Sequence, residues 1–181
     1  MKYLKKLSLI LLASVAVLSG CTESNIVSPS SGLVKGDGKP DLEVNKDALI
    51  DWEEISSDVR EEYMDPYGVF ADYVLDMAVS YNSNSKTVEV LLPVTHKTTP
   101  EIAAIYGEAI LKTVGTSIAT QNFYYEAPDE ESDEAYYGSY FDEYNVLVQV
   151  FFYDKEGEED TYLVNDTMKA GEQRELIPQA Q

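Results

Sequence analysis

The chain predicts an α+β fold: a single domain with a mainly antiparallel or mixed sheet of about five strands and helices packed on one face. Three observations carry this. Apolar residues recur at spacings of three and four in Trp52, Ile55, Val59 and Tyr63, and again from Ile102 to Val114, which is the period of a helix with one buried face. The period falls to two over Val69–Tyr81 and Thr87–Val94, the mark of half-buried strands. Val146–Tyr153 is apolar on both faces apart from Gln149, as a strand in the middle of a sheet is.

Each element follows in order. The first helix carries Asp and Glu opposite its apolar stripe, and Asp65-Pro66-Tyr67-Gly68 ends it with turn chemistry. From Val69 the alternate residues Ala71, Tyr73, Leu75, Met77, Val79 and Tyr81 are all apolar, which predicts one long strand. A helix through Leu75 is the alternative reading of its first half. Asn82-Ser83-Asn84-Ser85-Lys86 turns the chain, and Thr87–Val94 returns with Val88, Val90, Leu92 and Val94 on one face.

Thr98-Thr99-Pro100-Glu101 starts a second helix. Thr98 as cap would pair with Glu101, whereas Thr99 as cap would place Pro100 at the first helical position. Its buried stripe is Ile102, Ile105, Tyr106, Ala109, Ile110 and Val114, with Gly115 as the stop. Asn122–Glu126 reads as a short aromatic strand. After Val146–Tyr153, Asp154–Glu158 turns the chain and Thr161–Asn165 closes a terminal hairpin. The polar tail, residues 169–181, is expected to fray.

At the N-terminus Lys2, Lys5 and Lys6 precede an apolar run, Leu7–Leu18, which is shorter than the roughly 20 residues of a spanning helix. Small residues Ser19 and Gly20 then lead to Cys21, the chain's single cysteine. This segment resembles the signal peptide of a bacterial membrane lipoprotein, with Leu18-Ser19-Gly20-Cys21 as the lipobox. The resemblance implies cleavage between Gly20 and Cys21, a diacylglyceryl anchor with palmitate-type chains on the Cys21 thiol, and a place on the extracytoplasmic face of the cell membrane. Two acyl chains supply the two-signal anchoring that one chain does not. With Cys21 lipidated, no disulfide forms, and the domain folds on its core alone.

The implied organisation is a leader over 1–20, a lipidated flexible tether over 21–46, an acidic domain over 47–168 and the tail. The Ser-, Gly- and Pro-rich composition after Cys21, as in Ser28-Pro29-Ser30-Ser31-Gly32, suits a tether that lifts the domain off the membrane.

The full chain has 13 basic and 33 acidic residues, a net charge of −20. Loss of the leader's three lysines leaves 10 basic against 33 acidic residues, a net of −23. That field repels phosphate polymers, so nucleic acid is excluded as a partner. An envelope protein or a cationic peptide fits the sign of the charge.

Catalytic signals are sparse. His96 is the only histidine, in the connection Thr95-His96-Lys97-Thr98. A histidine there can be a base, a ligand or a solvated loop residue. The chain has no Gly-x-Ser-x-Gly nucleophile motif, no cysteine–histidine cluster for zinc and no glycine-rich phosphate loop. Carboxylates abound, but nothing in the sequence singles out the facing pair that glycoside hydrolysis needs. Calcium is the cofactor that the oxygen-rich runs Asp129–Glu134 and Asp154–Asp160 would suit, yet neither has the Asp-x-Asp-x-Asp-Gly spacing, so no cofactor is expected.

Residues 126–144 carry eight acids and no base, interleaved with aromatics. A loop of that length is functional or unstructured in most compact domains. Tyr124, Tyr125, Tyr136, Tyr137, Tyr140 and Phe141 are therefore the expected partner-binding residues, since tyrosines give contact area at low entropy cost and acids steer a cationic partner. The alternative is that these rings pack back onto the sheet. The expected function is a non-catalytic accessory or binding module of the cell envelope, with a small envelope hydrolase using carboxylates or His96 as the alternative.

Overall fold

The structure, a computed structural model, describes Lys46 and residues 49–129 and 135–179. The leader, the lipobox with Gly20 and Cys21, the tether and the acids of 130–134 lie outside the described residues.

Helix α1, Trp52–Tyr63, is capped by Asp51, whose carboxylate accepts from the amides of Glu53 and Glu54 at 3.1 and 3.0 Å. It buries Ile55 and Val59, as its apolar stripe predicts. Strands β1, Ala78–Asn82, and β2, Thr87–Val94, form an antiparallel hairpin. Helix α2, Pro100–Gln121, crosses back so that β3, Asn145–Phe152, lies parallel to β2. Strand β4, Val164–Met168, returns antiparallel to β3. The result is a four-stranded mixed sheet in the order β1-β2-β3-β4, with the two helices on one side: a single α+β domain.

Pairing puts Val88, Val90 and Leu92 of β2 beside Val146, Val148 and Val150 of β3, and all six are buried under the helices. The alternate residues form the other face, where Asn82 donates to Glu89 at 3.1 Å and Gln149 to Asn165 at 3.0 Å. Among the described residues, no helix is long and apolar enough to cross a membrane.

The structure corrects several expectations. The long strand over Val69–Tyr81 is strand only from Ala78, with four strands in the sheet rather than five. Regular pairing stops at Ala78–Leu91 although β2 runs on to Val94: the Leu75 and Asp76 amides both donate to the Pro93 carbonyl, Pro93 has no amide to give back, and only an isolated bridge joins Val74 to Val94 beyond it. Ahead of that bridge the chain forms tight turns, with Tyr73 donating to the Phe70 carbonyl at 2.8 Å. Phe70, on the mixed side of the alternation, packs its ring tilted against Tyr106 at 4.8 Å and stacks on Tyr63 at 6.2 Å, while Val69 faces solvent.

Asn122–Glu126 is a turn, not a strand, because the Asn122 side chain accepts the Tyr124 amide at 3.0 Å and bends the backbone. Thr99, not Thr98, caps α2. The helix runs through Gly115 to Gln121, and Ile105 is exposed. Strand β4 begins three residues later than expected. Glu159–Thr161 form a 3-10 turn, and Tyr162 stacks on Phe151 at 4.9 Å.

The tail is docked over residues 169–179. Arg174 forks onto the Asp166 carboxylate at 2.7 and 3.0 Å, Leu176 is buried, and Pro178 bridges to Val164.

Candidate functional site

Five aromatic side chains from four segments converge beside the approach to α1. Trp52 opens α1, directly after the Asp51 cap. Tyr81 shares the helix-side face of β1 with Val79, opposite Val88. Tyr125 comes from the turn that follows α2, and a short 3-10 turn, Ser139–Asp142, delivers Tyr140 and then Tyr144. Trp52 and Tyr81 lie nearly parallel at 5.3 Å, Tyr140 and Tyr144 are stacked at 4.1 Å, and Tyr125 meets Tyr140 edge to face at 4.9 Å. Such offset and edge contacts hold rings rigidly at little entropic cost. Together they wall an open pocket of about 390 Å³, with Leu49, 95% exposed, at its mouth.

Lys46 forms one rim. Its carbonyl accepts from the Asn122 side chain at 3.3 Å, its ammonium pairs with Glu143 at 2.6 Å, and the same ammonium lies 5.0 Å from the centre of the Tyr124 ring. The hydrogen bond to Glu143 raises the Lys46 pKa further above neutrality. Burial pushes the phenols of Tyr81, Tyr125 and Tyr140 up, and in Tyr125 a hydrogen bond to Tyr144 adds to it. All three are therefore neutral hydroxyls at physiological pH. The pocket thus offers aromatic ring surface, neutral hydroxyls and one exposed ion pair at its edge.

The six residues singled out in the sequence separate. Tyr125 and Tyr140 line the pocket, and Tyr124, 41% exposed, lies outside the lining, against Lys46 and Tyr125. Tyr136 is half-buried elsewhere. Tyr137, only 1% exposed, is part of the core: its hydroxyl donates to the Arg174 carbonyl at 2.9 Å and its amide to Gln173 at 2.6 Å. Phe141 is buried too, its carbonyl accepting from Gly171 at 2.9 Å. The rings of Tyr125, Tyr137, Tyr140 and Phe141 thus pack back against the sheet and helices, with two of them doing so at the pocket wall.

Lys46, Trp52, Tyr81 and Tyr144 complete the site; Tyr144 closes the acidic aromatic run of residues 126–144, while the sequence context of the other three did not mark them. Trp52 and Tyr81 fit helix and strand stripes as ordinary core residues. The one sequence signal was that Trp52, the only tryptophan, sits at the first position of a helix, where a large ring is left partly uncovered.

His96 lies at the opposite end of β2. Its Nε2 is 3.1 Å from an Asp154 carboxylate oxygen, and its ring packs on Phe152 at 4.5 Å. It borders a second pocket of about 410 Å³ with Lys155, Asp160 and Thr161. The Thr161 hydroxyl donates to the Glu158 carbonyl at 2.8 Å, so this neighbouring hydroxyl is already engaged. Among the described residues, no three His, Cys, Asp or Glu side chains are grouped to hold a metal ion. Compared with protein-family models, curated proteins and solved structures, the chain matches none.

Proposed function

We propose that this chain is a lipid-anchored envelope lipoprotein whose domain is a non-catalytic binding module, working through the aromatic pocket of Trp52, Tyr81, Tyr125, Tyr140 and Tyr144. The carrying observation is the convergence of five rings from four segments on one open pocket next to Lys46, where the tether meets the domain. The lipobox supports the anchoring at Cys21. A stretch of about 25 residues with this Ser-, Gly- and Pro-rich composition would average roughly 28 Å end to end if it behaved as a random coil.

In-cell photo-crosslinking tests the reading. A reactive group at Leu49, exposed at the pocket mouth, is expected to give a discrete adduct that a group at the distant, exposed Tyr153 does not. Equal labelling from both positions, or none from Leu49 in a folded, membrane-bound protein, would remove the module reading.

One observation favours a second reading. The His96–Asp154 pair beside a pocket is the kind of oriented base a small hydrolase uses. Turnover of a cell-wall or peptide substrate by the purified protein, abolished in His96→Ala, would replace the binding module with that enzyme.

A further inference from the structure

The pocket has one charged group already seated on it, and that group belongs to the chain. The Lys46 ammonium occupies the face of Tyr124 and the carboxylate of Glu143 at once, 5.0 Å from the ring centre and 2.6 Å from the oxygen. An aromatic face beside a carboxylate is the pairing that recognises ammonium groups. Both partners of the ion pair are open to water, with side chains 45% and 37% exposed, so the contact is weak and exchangeable.

The neighbouring rings point to the same ligand chemistry. A sugar ring needs a broad, free aromatic face to lie on. Here Trp52 is stacked with Tyr81 and Tyr140 with Tyr144, so one face of each is taken up by its neighbour. Tyr124 is different. It meets Tyr125 edge to face at 5.1 Å, and the Lys46 ammonium lies over its ring. The protein's charge of −20 would concentrate cations around this rim.

Resting on the binding-module reading, we infer that Tyr124 and Glu143 form an ammonium-binding subsite beside the pocket, held in the free protein by the pocket-lining Lys46 and taken over by an alkylammonium group of the ligand. The ligand's apolar portion then lies against the pocket rings. Lys46 acts as an internal competitor: displaced, its flexible side chain turns to solvent, while its backbone stays tied to Asn122.

Trp52 is the only tryptophan in the chain, so its fluorescence reports on this pocket alone. The full-length protein in detergent is titrated with n-pentylammonium and choline, with n-pentanol as the neutral counterpart and N-acetylglucosamine as the sugar. The expected result is a saturable Trp52 change with both ammonium probes and a weaker one with pentanol. Lys46→Ala should tighten ammonium binding about 3- to 5-fold by removing the competitor, and Glu143→Gln should weaken it by a similar factor, the range of an exposed ion pair. Choline binding without pentylammonium binding places the source in methylated headgroups, and the reverse places it in amine side chains; either keeps the subsite.

Equal binding of pentanol and pentylammonium, or no tightening in Lys46→Ala, overturns the ammonium subsite. So does a response to the sugar alone, or to no probe. None of these touches the module reading, which stands or falls on the Leu49 adduct.

Discussion

A methyl group added at Gly115 would overlap the Tyr137 carbonyl oxygen, which is why a glycine sits in the interior of α2. On helix propensity alone, Gly→Ala should stabilise by about 1 kcal/mol. The overlap is with backbone, which no rotamer change relieves, and overpacking of that kind costs about 1–3 kcal/mol or more. The clash wins: Gly115→Ala is expected to lose about 2 kcal/mol in urea unfolding, against a gain if the segment at Tyr137 were free to move. Asp166, 8% exposed, is the second residue whose removal should be felt. Burial acts to raise its pKa, but the Arg174 fork and the Ile177 amide outweigh it, and the net direction is down. A carboxyl with a lowered folded pKa stabilises the fold above its unfolded pKa of about 3.9 and loses that contribution as the pH falls through the folded value. Asp166→Asn should therefore cost about 2–4 kcal/mol at pH 7, and the gap to wild type should narrow below about pH 4, read from unfolding curves at both pH values.

The C-terminal segment behaves as a structural strap. Leu176 lies over Gly107, where an added methyl would come within 2.7 Å of its side chain, and the Leu176 amide donates to Glu108 at 2.8 Å. Burial raises the Glu108 pKa, with the Leu176 amide opposing. Ending the chain at Gly171 would remove Arg174 from Asp166 and uncover the Gly107 surface of α2. The expected outcome is a loss of about 3 kcal/mol or more, seen as a Tm lowered by roughly 10 °C or more in circular dichroism. An unchanged Tm would mean that the strap is passive. The elements that were legible in the sequence are those whose partner is the helix or strand period itself: α1, the hairpin, the start of α2 and β3. Of those that were not, the turn at Asn122 is local, its side chain taking the Tyr124 amide, whereas the stretch before β1 and the strap are set by side-chain contacts outside their own segments. Phe70 on Tyr106 and Arg174 on Asp166 leave no local pattern to read.

At the scale of the whole molecule the charge dominates. A net −20 repels itself in the folded state, and salt screens that repulsion. Raising NaCl from 10 to 500 mM is expected to raise the Tm by a few degrees, whereas a structure held chiefly by surface ion pairs would lose stability over the same range. The sequence by itself determined the lipobox resemblance, the sign of the charge, the two helices and the α+β class, because each is written in residue type and short-range period. Only the tertiary structure decided which tyrosines line a pocket. Tyr137 and Tyr140 stand three residues apart in one acidic, aromatic run, yet the first fastens the strap and the second walls the pocket. What separates them is the neighbour each meets, the C-terminal strap or the rings of Tyr81 and Trp52, and such meetings arise only when distant segments pack together.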